Sequence, residues 1–492
     1  MLKILGGTLA VLVVVAAAIY WLLQPPAPLP VPERGGRFDH VTVIQPGENR
    51  LADQTLTVAD TRITTIAPSH SPQRGPFAGM FVLPGLVNMH AHHPPQNIPV
   101  PRDLFPLLFL MHGVTSVRDA GDIDGKTVLP LRKAIEAGEV PGPRVFACGP
   151  FVDGPETTWE NTRHVTDPAD AKAAVRAIKA AGYDCVKIYN SLAPDVLAAL
   201  IDAAKEEGMP TIGHVPRAVA YPGGIGHVPR AVAYPGGIGD VQHFTGAQFV
   251  PNADPRPYPA VMEGWMHFDD TQLERTVRAV LDAGTANTPT LITTLKAGSY
   301  DDYEAMRRSP QAALLPRYFA DVVWHPTEGL PRDTSAENLA HLKTALAAEK
   351  RLVKRLYDEG ATLHIGTDTV TAFVVPGIDV QEEMSLFANA GIPLEAVWKI
   401  ATSGNAGDLR QDLGRLEPGA PADFLIFRED PTQNLDNLAT LEAVVADGRV
   451  YTKADFEKRF VRLKGYWSNP VADLLMTEAV RMALAQFRKD DE

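Results

Sequence analysis

Between residues 83 and 416 the chain alternates short apolar runs with amphipathic stretches of helical length. VTSVRD is followed by LPLRKAIEAG, PRVFACG by PADAKAAVRAIKAAG, CVKIY by PDVLAALIDAAKEEG, and then comes MPTIGH. The helix-like stretches open on Asp-Pro or Ala-Pro and close on Gly, as capping chemistry requires. Alternation at this spacing is the mark of βαβ units, which build a parallel sheet. The count approaches eight units, so the expected architecture is α/β, a distorted (β/α)8 TIM barrel over residues 83–416. In such barrels the active site lies at the carboxyl ends of the strands.

Metal-type ligands stand at those ends. PGLVNMHAH places His90 and His92 in the first strand, YDCVKIY places Lys187, MPTIGH places His214, VQHF places His243, and ATLHIGTD places Asp368. Residues two apart on a strand share a face, so His90 and His92 can point into one site while His93 points away. A lone His-x-His pair is equally consistent with two unrelated histidines. The weight comes from the other four positions. His40, His70, His267 and His325 lack such context and read as ordinary surface or core residues.

The quoted segments, with GVTSVRDAGD, GPRVFACGP, GHVP, TPTL, GTDT, AGIPLEAVWKIATSGNAGDL and DLGRLEPGAPADFLIF, resemble the amidohydrolase superfamily, in particular its imidazolonepropionase-like and prolidase-like branch. The resemblance runs from about Phe38 to about Thr452. Two departures are Asn88, where the family usually has Asp, and Gln381, where a His often sits.

The resemblance implies a metal-dependent hydrolase of amide or peptide C–N bonds, acting on a dipeptide or an N-acyl amino acid. Two divalent ions about 3.5–4 Å apart can share a hydroxide and polarise a carbonyl. His90 and His92 suit one ion, and His214 and His243 suit the other. A lysine ammonium has no lone pair to offer a metal. The family resemblance implies that Lys187 is carboxylated, which turns it into a bridging carbamate. Asp368 is the implied catalytic acid/base as well as a metal ligand. Imidazole and carboxylate donors suit zinc, with manganese, cobalt or iron as alternatives. Tyr189, two residues after Lys187, and Arg217, in HVPR, are candidate substrate contacts, and Arg230 duplicates Arg217. The alternatives are a one-metal deaminase or cyclic amidohydrolase, from which Lys187 discriminates because deaminases of the superfamily typically lack the bridging lysine, and a non-catalytic binding scaffold.

One segment complicates the ligand set. GHVPRAVAYPGGI occurs twice in succession, at residues 213–225 and 226–238. Two copies cannot stack a repeat core. His214 follows a helix and the strand-like MPTI, whereas its copy His227 follows the glycine-rich YPGGIG, a poor strand former. His214 is therefore the expected ligand, His227 the alternative, and the second copy an added surface loop.

The two ends differ from the middle. FDHVTVI and LTVADTRITTIAP near the start, and ADFLIF and EAVVADGRVYT near the finish, are strand-like. The resemblance implies that residues 36–82 and 417–453 form a small β-sandwich beside the barrel. Residues 454–492 read as an amphipathic helical tail, with a possible homo-oligomer contact left open. From Ile4 to Leu23 no residue is charged. Twenty residues at about 1.5 Å rise span a hydrocarbon core of about 30 Å. Tyr20 and Trp21 fall where an interfacial aromatic belt belongs. Residues 1–24 are thus the expected membrane anchor, a transmembrane helix, with a cleaved signal peptide as the alternative. Residues 25–35 read as a stiff proline-rich linker. The anchor implies single-pass cell-membrane attachment with the catalytic part on the extracytoplasmic, periplasmic side, or secretion if it is cleaved. A net charge of −13 argues against a nucleic-acid partner. The two cysteines, Cys148 and Cys185, are expected as small buried thiols in neighbouring strands.

Overall fold

The computed structural model describes residues 24–155, 159–216, 237–247, 264–331, 333–409 and 412–491, together with Val14, Ala17, Tyr20 and Trp21. The chain first lays down β1 (Gly36–Gln45), β2 (Asn49–Ala59), β3 (Arg62–Pro68) and β4 (Phe81–Pro84). It then enters a parallel sheet of β5 (Leu86–Ala91), β6 (Val114–Asp119), β7 (Arg144–Asp153), β9 (Cys185–Ile188), β10 (Thr211–Gly213), β11 (Asp240–Gln242) and β12 (Ala286–Thr288). A further short strand, β8 (Thr162–His164), pairs with the far end of β7. The chain returns through β13 (Phe424–Phe427), β14 (Leu441–Ala446) and β15 (Arg449–Thr452).

The parallel sheet runs in the order β12-β11-β10-β9-β7-β6-β5. Its two edges are joined by residues 362–367. Asn287 N donates to Thr362 O at 3.0 Å and His364 N to Asn287 O at 2.9 Å on the β12 side. Met89 N donates to Ile365 O at 3.0 Å and Thr367 N to His90 O at 2.9 Å on the β5 side. The result is a nearly closed, TIM-like barrel. Asn405, in SGNAGDL, pins this seam: its Nδ2 donates to Val87 O at 2.7 Å and Ile365 O at 2.9 Å, and its Oδ1 accepts from Ile365 N at 3.0 Å. Most barrel strands are buried on both faces, which is why they are continuous apolar or small runs and do not alternate.

The sequence signals for the flanking helices hold. Asp167 caps the helix Pro168–Ala181, accepting from Ala169 N and Asp170 N, and Gly182 ends it at φ 91°. That left-handed conformation favours glycine. The helix Pro194–Glu206 starts at Ala193-Pro194. The tail differs from expectation. It is two helices, Lys453–Trp467 and Pro470–Asp491, because Pro470 cannot continue the first, while Asn469 Oδ1 accepts from Val471 N at the start of the second.

The strands from both ends make one seven-stranded sheet, β15-β14-β13-β4-β1-β2-β3. It curls so that its edge meets its own middle: Ile63 N, in β3, donates to Ala420 O, and Ala422 N, just before β13, donates to Thr61 O. Phe38, Val41, Leu56, Ile63, Phe424 and Val445 fill the space enclosed. The β14–β15 turn falls at Asp447-Gly448, both at positive φ (51° and 75°).

The cysteine expectation needs correction. Cys148 and Cys185 are buried, but they form a disulfide. Parallel pairing of β7 with β9 sets the two residues directly opposite, with Cα atoms 4.5 Å apart, inside the range a disulfide spans. Neighbouring strands alone do not reveal this. The register does. Residues 4–23, the expected transmembrane helix, lie outside the described residues apart from four positions. Among the described residues no helix is long and apolar enough to cross a membrane.

Candidate metal centre

Each proposed ligand sits at or just beyond the carboxyl end of its strand. His90 is in β5 and His92 follows it. Lys187 is in β9, His214 follows β10, His243 follows β11, and Asp368 follows the closing segment. Gly213 is tied to its place because a Cβ there would overlap the Ile188 carbonyl oxygen of β9. His243 and Asp368 both adopt positive φ, 57° each, as do Phe244 and Thr290. Such backbone is sparsely populated by non-glycine residues and tends to mark sites where surrounding structure holds it. Asp368 N, together with Thr367 N, donates to the His90 carbonyl, which fixes the Asp368 turn to the first strand.

The side chains converge. His90 Nε2 lies 3.3 Å from His92 Nε2 and 3.1 Å from Asp368 Oδ1. His92 Nε2 is 3.4 Å from the same oxygen, and His243 Nε2 is 4.0 Å from Asp368 Oδ2. The His243 ring is 4.7 Å from that of His90 and 5.1 Å from that of His214. His90, His92 and Asp368 meet the geometry of a group able to hold an ion.

The other nitrogen of every imidazole is engaged by an oxygen. His90 Nδ1 meets Gln242 Oε1 at 2.5 Å, His92 Nδ1 the Gly121 carbonyl at 2.9 Å, and His214 Nδ1 Asn190 Oδ1 at 2.7 Å. His243 Nδ1 meets Thr290 Oγ1 at 2.6 Å, and that hydroxyl donates to Pro289 O, so it accepts from the ring. Amide and carbonyl oxygens only accept, so each Nδ1 carries the proton and each Nε2 keeps a lone pair. This is the arrangement of metal-binding imidazoles held by outer hydrogen bonds. Sequence reasoning missed Gln242, Asn190, Gly121 and Thr290 in this role. Gln242 and Asn190 are polar residues at strand ends beside ligands, and that was the available signal.

The electrostatics agree. Burial pushes His90 and His214 well below the ordinary histidine value, and lowers His243 to about 4, so these rings are neutral near pH 7. For His92 burial also lowers, but the hydrogen bond and charge of Asp368 more than offset it. Burial pulls Asp368 upward, yet its close contacts with His90 and His92 hold it well below the usual carboxylate range. Lys187 is 1 % exposed. Burial lowers it to about 8, against the opposing pull of Asp368. Its charge bears on all four histidines. The imidazole Nε2 atoms and the held carboxylate are a donor set that fits divalent ions.

Below the site, Asp240 pairs with Arg118, accepts from Thr288 Oγ1 at 2.8 Å, and lies 3.1 Å from His364 Nδ1. His93 turns away from the cluster, its Nδ1 2.8 Å from Asp119. Asn88, the first family departure, fits its place: Oδ1 accepts from His90 N and Nδ2 donates to Thr367 Oγ1. Gln381, the second, faces away, donating to His112 O. The Tyr189 ring lies 4.6 Å from that of His214. Arg217, Arg230 and His227 lie outside the described residues.

A model of the Amidohydrolase family matches residues 81–452, three quarters of the chain. The chain belongs to the Amidohydrolase family. It is accordingly a hydrolase acting on carbon–nitrogen bonds. Among solved structures this amidohydrolase is similar to a bottromycin amidohydrolase, with a TM-score of 0.66 and 24% identity over 92% of this chain and 93% of that one. It is also similar to a prolidase candidate from Bifidobacterium longum, at TM-score 0.59 and 22% identity over 88% and 100% of the two chains. A Xaa-Pro dipeptidase with methionine bound in its active site gives TM-score 0.59 and 19% identity over 85% and 99%. At these identities the likeness is one of fold. No curated protein matches the chain.

Proposed function

We propose that this amidohydrolase binds two divalent ions and cleaves the amide bond of a small peptide-like substrate, a dipeptide or an N-acyl amino acid. The observation that carries the reading is the set of three Nε2 atoms, of His90, His92 and His243, within 4.0 Å of Asp368, with His214 beside His243 and all four Nδ1 atoms held by oxygens. His90, His92 and Asp368 would hold one ion and His214 and His243 a second. Zinc suits these donors, and manganese, cobalt and iron remain compatible. Bound ions would supply a nucleophilic hydroxide at neutral pH and polarise the scissile carbonyl.

The remaining work falls to the chain's own residues. Lys187 at about 8 has a substantial neutral fraction near neutral pH, the form that takes up carbon dioxide to give a carbamate. The carbamate oxygens would then add to the donors that hold the ions. Asp368, ionised before reaction, takes the proton of the attacking nucleophile and hands it to the leaving nitrogen. Peptidase-like neighbours support a peptide or N-acyl amino acid as substrate. The test is amine release from a panel of dipeptides and N-acyl amino acids. Turnover by the wild-type chain supports the assignment, and none with metal bound removes it.

The same proposal extends to location. The uncharged run 4–23 would anchor the chain, with the barrel outside the cytoplasm. Two observations support this. The Cys148–Cys185 disulfide is of the kind that persists in oxidising compartments. The proline-rich linker is docked on the body, with Arg459 Nη1 donating to Leu29 O at 2.7 Å and Arg449 Nη1 to Pro32 O at 2.5 Å. The domain division proposed with it is an anchor at 1–24, a linker at 25–35, a sheet domain from 36–82 and 417–453, the (β/α)8 barrel at 83–416, and a helical tail.

A further inference from the structure

One wall of the metal centre is aromatic. The Phe151 ring stacks against His92 at 6.2 Å, with Trp159 stacked on Phe151 at 5.6 Å and an interplanar angle of 16°. Tyr189 meets Phe151 edge-on at 5.1 Å and continues to His214 at 4.6 Å. Phe151 and Tyr189 therefore connect a ligand of one proposed ion to a ligand of the other, and Trp159 extends the wall outward from Phe151. Phe151 is 3 % exposed and Trp159 is 37 % exposed, so the wall runs from the buried centre out to solvent.

The wall is built into the fold. A Cβ at Gly121 would lie 2.7 Å from Phe151 Cζ, so the ring rests directly on the residue whose carbonyl holds His92. The segment 159–162 that carries Trp159 is fastened in place. Thr162 Oγ1 donates to Trp159 O at 2.8 Å, Asn161 Nδ2 donates to Asp122 O at 2.7 Å, and Lys126 pairs with Glu160 at 2.6 Å. Trp159 Nε1 donates to Tyr189 Oη at 3.0 Å. The indole's only polar atom is thus occupied, and what Trp159 offers the mouth is an apolar π face.

The structure assigns Phe151, Trp159 and Tyr189 as a specificity subsite for an aromatic side chain flanking the scissile amide. A flat ring gains offset or edge-on stacking there, whereas a charged side chain would lose hydration against a wall whose indole N–H is already used. The assignment names the substrate class within the function proposed above and rests on that reading.

The test measures kcat/KM on matched N-acyl dipeptides with Ala, Phe, Asp or Lys in turn on the acyl side and on the amine side of the bond. Calorimetry on N-acetyl-phenylalanine and N-acetyl-alanine runs in parallel. Wild-type enzyme is expected to favour Phe over Ala about tenfold or more at one of the two positions, the scale of a few well-placed apolar contacts. Trp159→Ala should erase that preference through KM while leaving the alanyl substrate and kcat nearly unchanged. Trp159→Phe, which keeps a ring, should restore most of it. No aromatic preference in the wild type, or equal loss on alanyl and phenylalanyl substrates in Trp159→Ala, overturns the subsite. Absence of turnover would count against the proposed reaction alone. In that case Phe-selective binding lost in Trp159→Ala still supports the subsite, and equal binding of the two acids refutes it.

Discussion

In the proposed mechanism Asp368 carries two demands that conflict in most settings: to stay ionised in a buried place and to accept a proton during turnover. His90 and His92 at 3.1 and 3.4 Å meet the first demand, and only charge developing in the reaction meets the second. Asp368→Asn keeps an amide oxygen but loses the proton acceptor, so kcat should fall by at least ~100-fold. Steady-state kinetics checks this, and near-normal turnover would remove the proton shuttle. The duplicated segment gives a second contrast. His214→Ala should leave one ion of two by elemental analysis, because its ring adjoins His243 and its Nδ1 is set by Asn190. His227→Ala should keep both, and the reverse pattern would show that the other copy is the ligand. The six candidate positions were legible in sequence because each follows an apolar run, and the structure places each at or just beyond a strand end. The oxygens behind the imidazoles were not, since Gln242, Asn190 and Thr290 acquire that role only when separate strands are brought side by side.

At the scale of elements, the helices behind the closing segment carry buried acids. Glu349, in the helix Ala336–Asp358, is 4 % exposed. It accepts from Thr294 Oγ1 at 3.2 Å with one oxygen, and the other has no hydrogen bond. Burial raises it from the ordinary 4.5 to about 8. Glu383, which accepts from Leu291 N and Ile292 N, is likewise raised to about 8, and Asp379 to about 7. A carboxyl raised in the folded state stabilises the fold below its unfolded value, and that contribution is lost as pH climbs through the folded one. Stability should therefore decline between about pH 5 and 8. Glu349→Gln, which cannot ionise, should flatten part of that decline and raise the melting temperature at pH 8 by roughly 2 °C or more. Thermal unfolding across pH checks it, and a lower melting temperature for the variant at pH 8 would contradict it. The long helices and their caps were legible because Asp-Pro and Gly signals act locally. The apolar run before Asp368 was legible as a strand end, whereas its role in closing the barrel was not, because residues 362–367 hold their place through contacts to Asn287, Met89 and His90, far away in sequence. The disulfide was missed for the same reason, since it depends on register between two strands and not on either alone.

The whole molecule joins its two ends. β1 to β4 and β13 to β15 complete one sheet, so neither end can form its share without the other, and β4 leads directly into the first barrel strand at the metal centre. That both ends are strand-rich was legible, whereas their pairing across more than three hundred residues came from the family resemblance. In the proposed topology the anchor emerges beside the C-terminal helices, where Arg459 grips the linker. External protease should digest the barrel in intact cells and leave a membrane-bound N-terminal stub. Protection of the barrel, or a soluble product beginning near residue 24, would overturn the anchored arrangement. The central claim is that two ions at these six side chains make the chain an amidohydrolase of small amides. The most direct measurement titrates metal-free protein with zinc or manganese in bicarbonate buffer while following amine release from a dipeptide or N-acyl amino acid. The account predicts no release without metal and a rise that levels off at two ions per chain. Undiminished release from metal-free protein, or a plateau at one ion, would contradict it.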